Sequence, residues 1–305
     1  MSWQLAALRR AMRWTARPVV ARLTNWTRAR AVFRVSARLA FRRVRGTRCR
    51  PAEGPLAPGA FVTGREPPAP GVILYLHGGA YIVGSPAAYR DLAGRLARQT
   101  GRRLYLPDYP LAPEHPAPAA FHAAVAAWEA LLGEGYRPGE IVIGGDSAGG
   151  GLALALLAEV LSRGQRPAGC FAFSPWTDLT LSGASLRENA GRDVLLPVAR
   201  IAEVRDLVRG ALAPDDPRLS PLFAAFPDCP PVLLAWSQSE ILRDDSARMA
   251  AHLRGYGAQV EEDVLPDAPH VWQLFHGIVP EANASLNKTA AFILRALPSP
   301  RPAGS

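Results

Sequence analysis

From residue 71 onward, short β-rich apolar runs alternate with longer stretches of helical periodicity, and no other feature constrains the fold of this chain as strongly. The runs Val72–His77, Arg103–Pro107, Glu140–Gly144, Gly169–Ser174, Pro231–Trp236 and Gln259–Leu265 read as strands. Helical patterns lie between them near 86–99, 117–133, 147–163, 242–256 and 281–296. This order predicts an α/β fold with a mainly parallel, doubly wound sheet, whose ligands bind outside the carboxyl ends of the strands. Two segments break the pattern. Residues 1–45 read as two basic helices with Trp3, Leu5, Trp14, Trp26, Val32 and Phe33 as apolar contacts, and residues 178–213 as an insertion ending in a helix near 197–211. The expected organisation is therefore a basic arm over 1–50 and a catalytic domain over 51–305, with arm and insertion together forming a helical cap. The Pro-rich tail at 298–305 is expected to be disordered.

The net charge of +9 raises the question of nucleic-acid binding, and its distribution answers it. Residues 1–50 carry 14 Arg and no Asp or Glu, while the remaining 255 residues hold 21 Lys and Arg against 26 acids, a net of −5. The basicity belongs to the arm, no nucleic-acid-binding motif accompanies it, and no nucleic-acid partner is expected. Basic helices bearing Trp also suit peripheral contact with an anionic membrane, although covering the active site is the simpler role. No run of 18 apolar residues occurs, and Arg9 and Arg10 interrupt the start of the chain, so neither a spanning helix nor export is expected. Cys49, Cys170 and Cys229 are too far apart for a zinc-site spacing, which fits reduced thiols in a cytoplasm.

The sharpest chemical signal is Gly145-Asp146-Ser147-Ala148-Gly149, set between the apolar run Ile141-Val142-Ile143 and a helix-forming stretch. Small residues on both sides allow a tight strand-to-helix turn that lifts the Ser147 hydroxyl into the open as a nucleophile. A hydroxyl needs a base, and the carbonyl it attacks needs preplaced donors for its developing negative charge. Gly78 and Gly79, following the first predicted strand, are the expected oxyanion donors together with the Ala148 amide, each worth roughly 3 kcal/mol of transition-state stabilisation. His77 beside them precedes the nucleophile and reads as structural. Of the histidines after Ser147, His252 falls mid-helix and His276 inside an apolar stretch, leaving His270, in a loop after the last strand, as the base. The orienting acid lies in Glu240-Ile-Leu-Arg-Asp244-Asp245. Glu240, at a strand end, is favoured over Asp244 and Asp245, which also suit the start of a helix.

These residues carry a resemblance. His77-Gly-Gly-Ala80-Tyr81, Asp108-Tyr-Pro-Leu-Ala-Pro-Glu114-His115-Pro, Gly145-Asp-Ser-Ala-Gly149-Gly150, Asp216-Pro-Arg-Leu-Ser-Pro221, Glu240-Ile-Leu-Arg-Asp244 and His270-Val-Trp resemble, in order, the motifs of the bacterial relatives of hormone-sensitive lipase, the class IV esterases. The resemblance implies an α/β-hydrolase fold, hydrolysis of short-chain acyl esters without a cofactor, a cap built from N-terminal helices and an insertion, and frequent homodimerisation. It also implies that Glu114-His115 supports the active-site wall. Substrate-binding residues are not fixed by the sequence, with Tyr81 as the one candidate. The chain departs from the family pattern twice, with Ala80 where a third Gly is usual and Glu240 where the acid is usually Asp. Amidase, lactonase or natural-product deacetylase chemistry could use the same triad. A non-catalytic ligand-binding role, as in relatives resembling hormone receptors that have lost the base, is disfavoured by the presence of His270.

Overall fold

A computed structural model describes residues 1–56 and 58–297. The chain opens with α1 (Trp3–Trp14), α2 (Ala16–Arg22) and α3 (Trp26–Ala40), three helices where the sequence predicts two. The extra break falls at Thr15, because a helix continuing through Pro18 would push the proline ring against the carbonyl of Trp14. There follow β1 (Arg48–Pro51), β2 (Gly59–Thr63), β3 (Ala69–Leu76), α4 (Pro86–Thr100), β4 (Arg102–Pro107), α5 (Ala119–Gly133), β5 (Ile141–Asp146), α6 (Ser147–Ser162) and β6 (Gly169–Phe173). The remainder comprises α7 (Ser185–Glu188), α8 (Ile201–Arg209), β7 (Val232–Ser237), α9 (Arg243–Gly255), β8 (Val260–Leu265) and α10 (Pro280–Ala296). The expected tail at 298–305 lies outside the described residues.

Among the described residues the strands form one eight-stranded sheet in the order β1-β2-β4-β3-β5-β6-β7-β8. Neighbours from β4 to β8 are parallel, while β1 and β2 add an antiparallel edge absent from the sequence reading. These two strands are short, and β1 is Arg-Cys-Arg-Pro, fully exposed, a composition tolerated only at a sheet edge. After β3 the chain winds one way to β4 and then returns to the other side of β3 with β5. The crevice at the carboxyl ends of β3 and β5 is thus the topological switch point, where a doubly wound sheet places its ligand.

Alternation along β3 splits the core in two. Val72, Leu74 and Leu76 pack on one face with Trp128 of α5, Leu152 of α6 and Met249 of α9, whereas Ile73 and Tyr75 pack on the other with Leu92 of α4 and Leu286 of α10. Helix α6 is buried almost all round, as its unbroken apolar composition requires. Truncating one of its leucines to alanine would cost about 2–5 kcal/mol.

Segment 178–213 holds α7 and α8, the latter slightly shorter than predicted, with the short 3-10 turn Val198–Arg200 before it. It touches the N-terminal helices directly. Arg13 and Arg17 donate to the carbonyls of Arg192 and Ala190, and Arg200 donates to the Ala21 carbonyl and lies over the Trp26 ring. Arg30 of α3 secures the arm to the catalytic body, donating to the carbonyls of Ile82 and Ala112 and forming a two-pronged pair with Glu114.

Candidate active site

Strand β5 runs straight into α6, and the turn between them forces Ser147 to φ +53°, a left-handed conformation that costs a serine roughly 1–3 kcal/mol. Glycines make the turn possible. A Cβ at Gly145 would strike the carbonyl of Gly149, and one at Gly149 would strike the carbonyls of Leu76 and His77. Ser147 therefore stands half-exposed at the rim of the switch-point crevice, at the amino end of α6, with its carbonyl held by the Trp176 amide at 2.9 Å.

His270, in the loop after β8, brings Nε2 to 2.8 Å from Ser147 Oγ. Its Nδ1 lies 2.6 Å from Glu240 Oε2, in the turn after β7. The other Glu240 oxygen accepts from the Ser237 amide at 2.7 Å and the Ser174 hydroxyl at 2.9 Å, so the buried carboxylate is satisfied at both ends. Burial alone would depress the His270 imidazole. The hydrogen bond and charge of Glu240, with smaller help from Asp193 and Asp146, outweigh burial and raise its pKa above the ordinary histidine value. Sequence alone leaves the other two acids open, but the structure engages them elsewhere. Asp244 accepts the Ser185 amide at 2.9 Å and pairs with Arg243, while Asp245 accepts the amides of Thr177 and Asp178 at 2.8 and 2.9 Å.

The loop after β3 brings a correction. The Gly78 amide donates to Asp146 Oδ1 at 2.9 Å, so this expected oxyanion donor already has an acceptor inside the protein. The amides of Gly79, Ala80 and Ala148 have no acceptor among the described residues. Asp146 also accepts from the hydroxyls of Tyr75 and Tyr89, at 2.8 and 2.9 Å. Complete burial pushes its pKa up to about 6 despite these three donors. His77 is a structural residue: its ring is stacked between Tyr89 and Tyr109, Nδ1 faces the Gly78 carbonyl, and burial lowers its pKa to about 4. His252 faces the Ala224 carbonyl from α9, and His276 is buried with its Nε2 lacking a hydrogen-bond partner among the described residues. Tyr81 has a buried hydroxyl without a hydrogen-bond partner among the described residues, and its side chain lines a small apolar pocket with Ala112, Phe121, Leu152 and Val208.

Several supporting residues were not evident from sequence. Ser174, just after β6, and Ser237, the last residue of β7, hold Glu240, a role visible only once those strands are neighbours. The insertion adds Asn189, whose amide donates to the carbonyls of Gln238 and Glu240, and Asp193, which accepts the Ile241 amide at 2.9 Å. Among the described residues no helix is long and apolar enough to cross a membrane.

Comparison with known proteins agrees with this architecture. A family model described as alpha/beta hydrolase fold matches residues 73–274. An acetyl-hydrolase of Streptomyces hygroscopicus is 35% identical over 222 residues, covering 72% of this chain and 74% of that protein. An esterase of Acinetobacter venetianus is 37% identical over 223 residues, with 72% and 74% covered. The crystal structure of an esterase from the bacterial hormone-sensitive lipase family superposes with a TM-score of 0.90 at 30% identity, covering 98% of this chain and 99% of that one. With the expected motifs spread over the same span, the chain belongs to the bacterial hormone-sensitive lipase family of the α/β-hydrolase fold, a family of carboxylic ester hydrolases.

Proposed function

We propose that this chain hydrolyses carboxylic esters with short to medium acyl chains through an acyl-enzyme on Ser147. The observation that carries the reading is the continuous relay from Ser147 Oγ through His270 to Glu240. His270 Nε2 takes the Ser147 proton as Oγ bonds to the ester carbonyl carbon. The amides of Gly79, Ala80 and Ala148 receive the oxyanion, helped by the positive end of α6. Collapse of this intermediate breaks the bond to the alcohol oxygen, which leaves with the proton from His270. Water, deprotonated by the same imidazole, then adds to the acyl carbon and releases the acid and a free Ser147. Glu240 holds the imidazole in the productive tautomer and offsets its charge.

The acetyl-hydrolase relative supports a small acyl group. The pairing of the N-terminal helices with segment 178–213 supports their expected role as a cap over the active site. The test is hydrolysis of p-nitrophenyl esters from acetyl to dodecanoyl by the wild type and Ser147→Ala. Turnover should peak among the shorter chains and vanish in a folded variant. A peak at dodecanoyl would contradict the size limit, and an active Ser147→Ala would contradict the mechanism.

A further inference from the structure

Residues 1–45 contain 12 Arg and no acid. Four of these arginines hold the arm in place: Arg9 pairs with Asp267, Arg30 with Glu114, and Arg13 and Arg17 donate to carbonyls of the insertion. The other eight are exposed, and none has a carboxylate partner among the described residues. Many acids of the catalytic body are already paired with its own arginines, among them Glu159, Asp216, Glu262 and Glu261.

The same helices expose apolar stripes. On α1, Trp3, Ala7, Arg10 and Trp14 recur at i, i+4, i+7 and i+11, which places them along one face. Trp3 and Trp14 are each 76% exposed, while Leu5 and Met12 on the opposite side are buried. Helix α3 repeats the arrangement. Val32, Val35 and Leu39 line its outer face, with Leu39 83% exposed, while Ala29 and Ala37 are buried inside and Phe33 stacks on Tyr89. Eight of the twelve large hydrophobic side chains exposed among the described residues lie within residues 1–39. Such a concentration on one element, bordered by unpaired arginines, is not the scatter of an ordinary surface.

We propose that the outer face of residues 1–45 docks on an anionic lipid bilayer. Arginines satisfy headgroup phosphates, Trp3 and Trp14 suit the boundary between headgroups and acyl chains, and Val35 and Leu39 lose their contact with water. Nucleic acid would answer the arginines but not the aliphatic stripe. A second copy docked through the same face would bring two sets of unpaired arginines together. Arg30 ties the arm to the carbonyls of Ile82 and of Ala112, itself a pocket-lining residue, so the docking element is joined directly to the body of the fold.

The test is co-sedimentation of the full chain with vesicles of phosphatidylcholine alone or mixed with phosphatidylglycerol. The variants are Trp3→Ala/Trp14→Ala/Leu39→Ala and Arg34→Gln/Arg38→Gln. All five side chains are exposed, so melting temperature and turnover of a soluble ester should not change. The expected result is binding to anionic vesicles only, weaker in high salt, and about tenfold weaker or more in each variant. Three results would overturn the proposal: no binding to anionic vesicles, binding unchanged in the apolar variant, or a solution dimer that both variants dissociate. Tighter binding to a DNA duplex than to vesicles, unaffected by the Trp changes, would assign the face to nucleic acid instead.

Discussion

Asp146 Oδ1 accepts the amide of Gly78 at 2.9 Å, tying the turn that carries the nucleophile to the loop that faces it across the switch point. With Tyr75 and Tyr89 on the same carboxylate, this contact fixes where the Gly79 and Ala80 amides sit relative to Ser147. Asp146→Ala strands three buried donors, each costing about 1–3 kcal/mol. We expect a loss of at least about 3 kcal/mol in urea unfolding. Asp146→Asn, which keeps an acceptor for Gly78, should lose much less stability and lower kcat more than it raises KM. An alanine variant as stable as the wild type would remove this clamp from the account.

Glu240 and Asp244 sit four residues apart, and only Glu240 reaches the imidazole. Glu240→Gln should lower kcat/KM for p-nitrophenyl acetate by about 10³- to 10⁴-fold, since the amide favours the wrong tautomer. Asp244→Asn, whose carboxylate serves Ser185 and Arg243, should stay within a few-fold of the wild type. The reverse pattern would transfer the orienting role to Asp244.

The raised pKa of His270 determines how activity depends on pH. The reaction needs the neutral imidazole, so the acidic limb of kcat/KM should lie above 6.5, the ordinary histidine value. Glu240→Gln removes the leading contribution that raises the pKa and leaves burial, which lowers it. The residual activity of that variant should therefore persist to lower pH, and a limb that stays in place or moves upward would contradict the assignment.

Asp245 provides a stability test away from the chemistry. Burial raises its pKa from 3.8 to about 8, with the neighbouring Asp178 charge adding to the effect and the Thr177 and Asp178 amides opposing it. The folded state thus binds a proton that the unfolded chain releases near 3.8. The stabilisation from this group is complete below that pH and is lost as pH rises through about 8. Asp245→Asn, which cannot ionise, should show a flatter fall of melting temperature over that window. A slope equal to the wild type would mean that Asp245 does not titrate there.

What could be read from the sequence depended on whether a signal was local. The run Ile141-Val142-Ile143 leading into small residues marks a strand-to-turn junction by itself. Ser147, Glu240 and His270 each follow a parallel strand, so the sheet brings them to one rim. The fate of the Gly78 amide depends on an Asp146 carboxylate 68 residues away, and no spacing encodes that approach. Strand β1 lacked the apolar alternation of a half-buried strand because it is fully exposed, and β2, which turns Ala60 and Val62 inward, is only five residues long. The third N-terminal helix depended on a single proline within an otherwise continuous helical pattern.

If Ser147 is the residue acylated, a covalent probe of nucleophilic serines should find it there. A fluorophosphonate incubated with the folded protein should add one adduct to the intact mass, map to the peptide containing Ser147, and fail to label Ser147→Ala. His270→Ala should slow labelling by orders of magnitude, because the unassisted hydroxyl is a poor nucleophile. An adduct on a different residue, or none on a protein that turns over esters, would show that the relay from Ser147 to Glu240 is not the reacting centre.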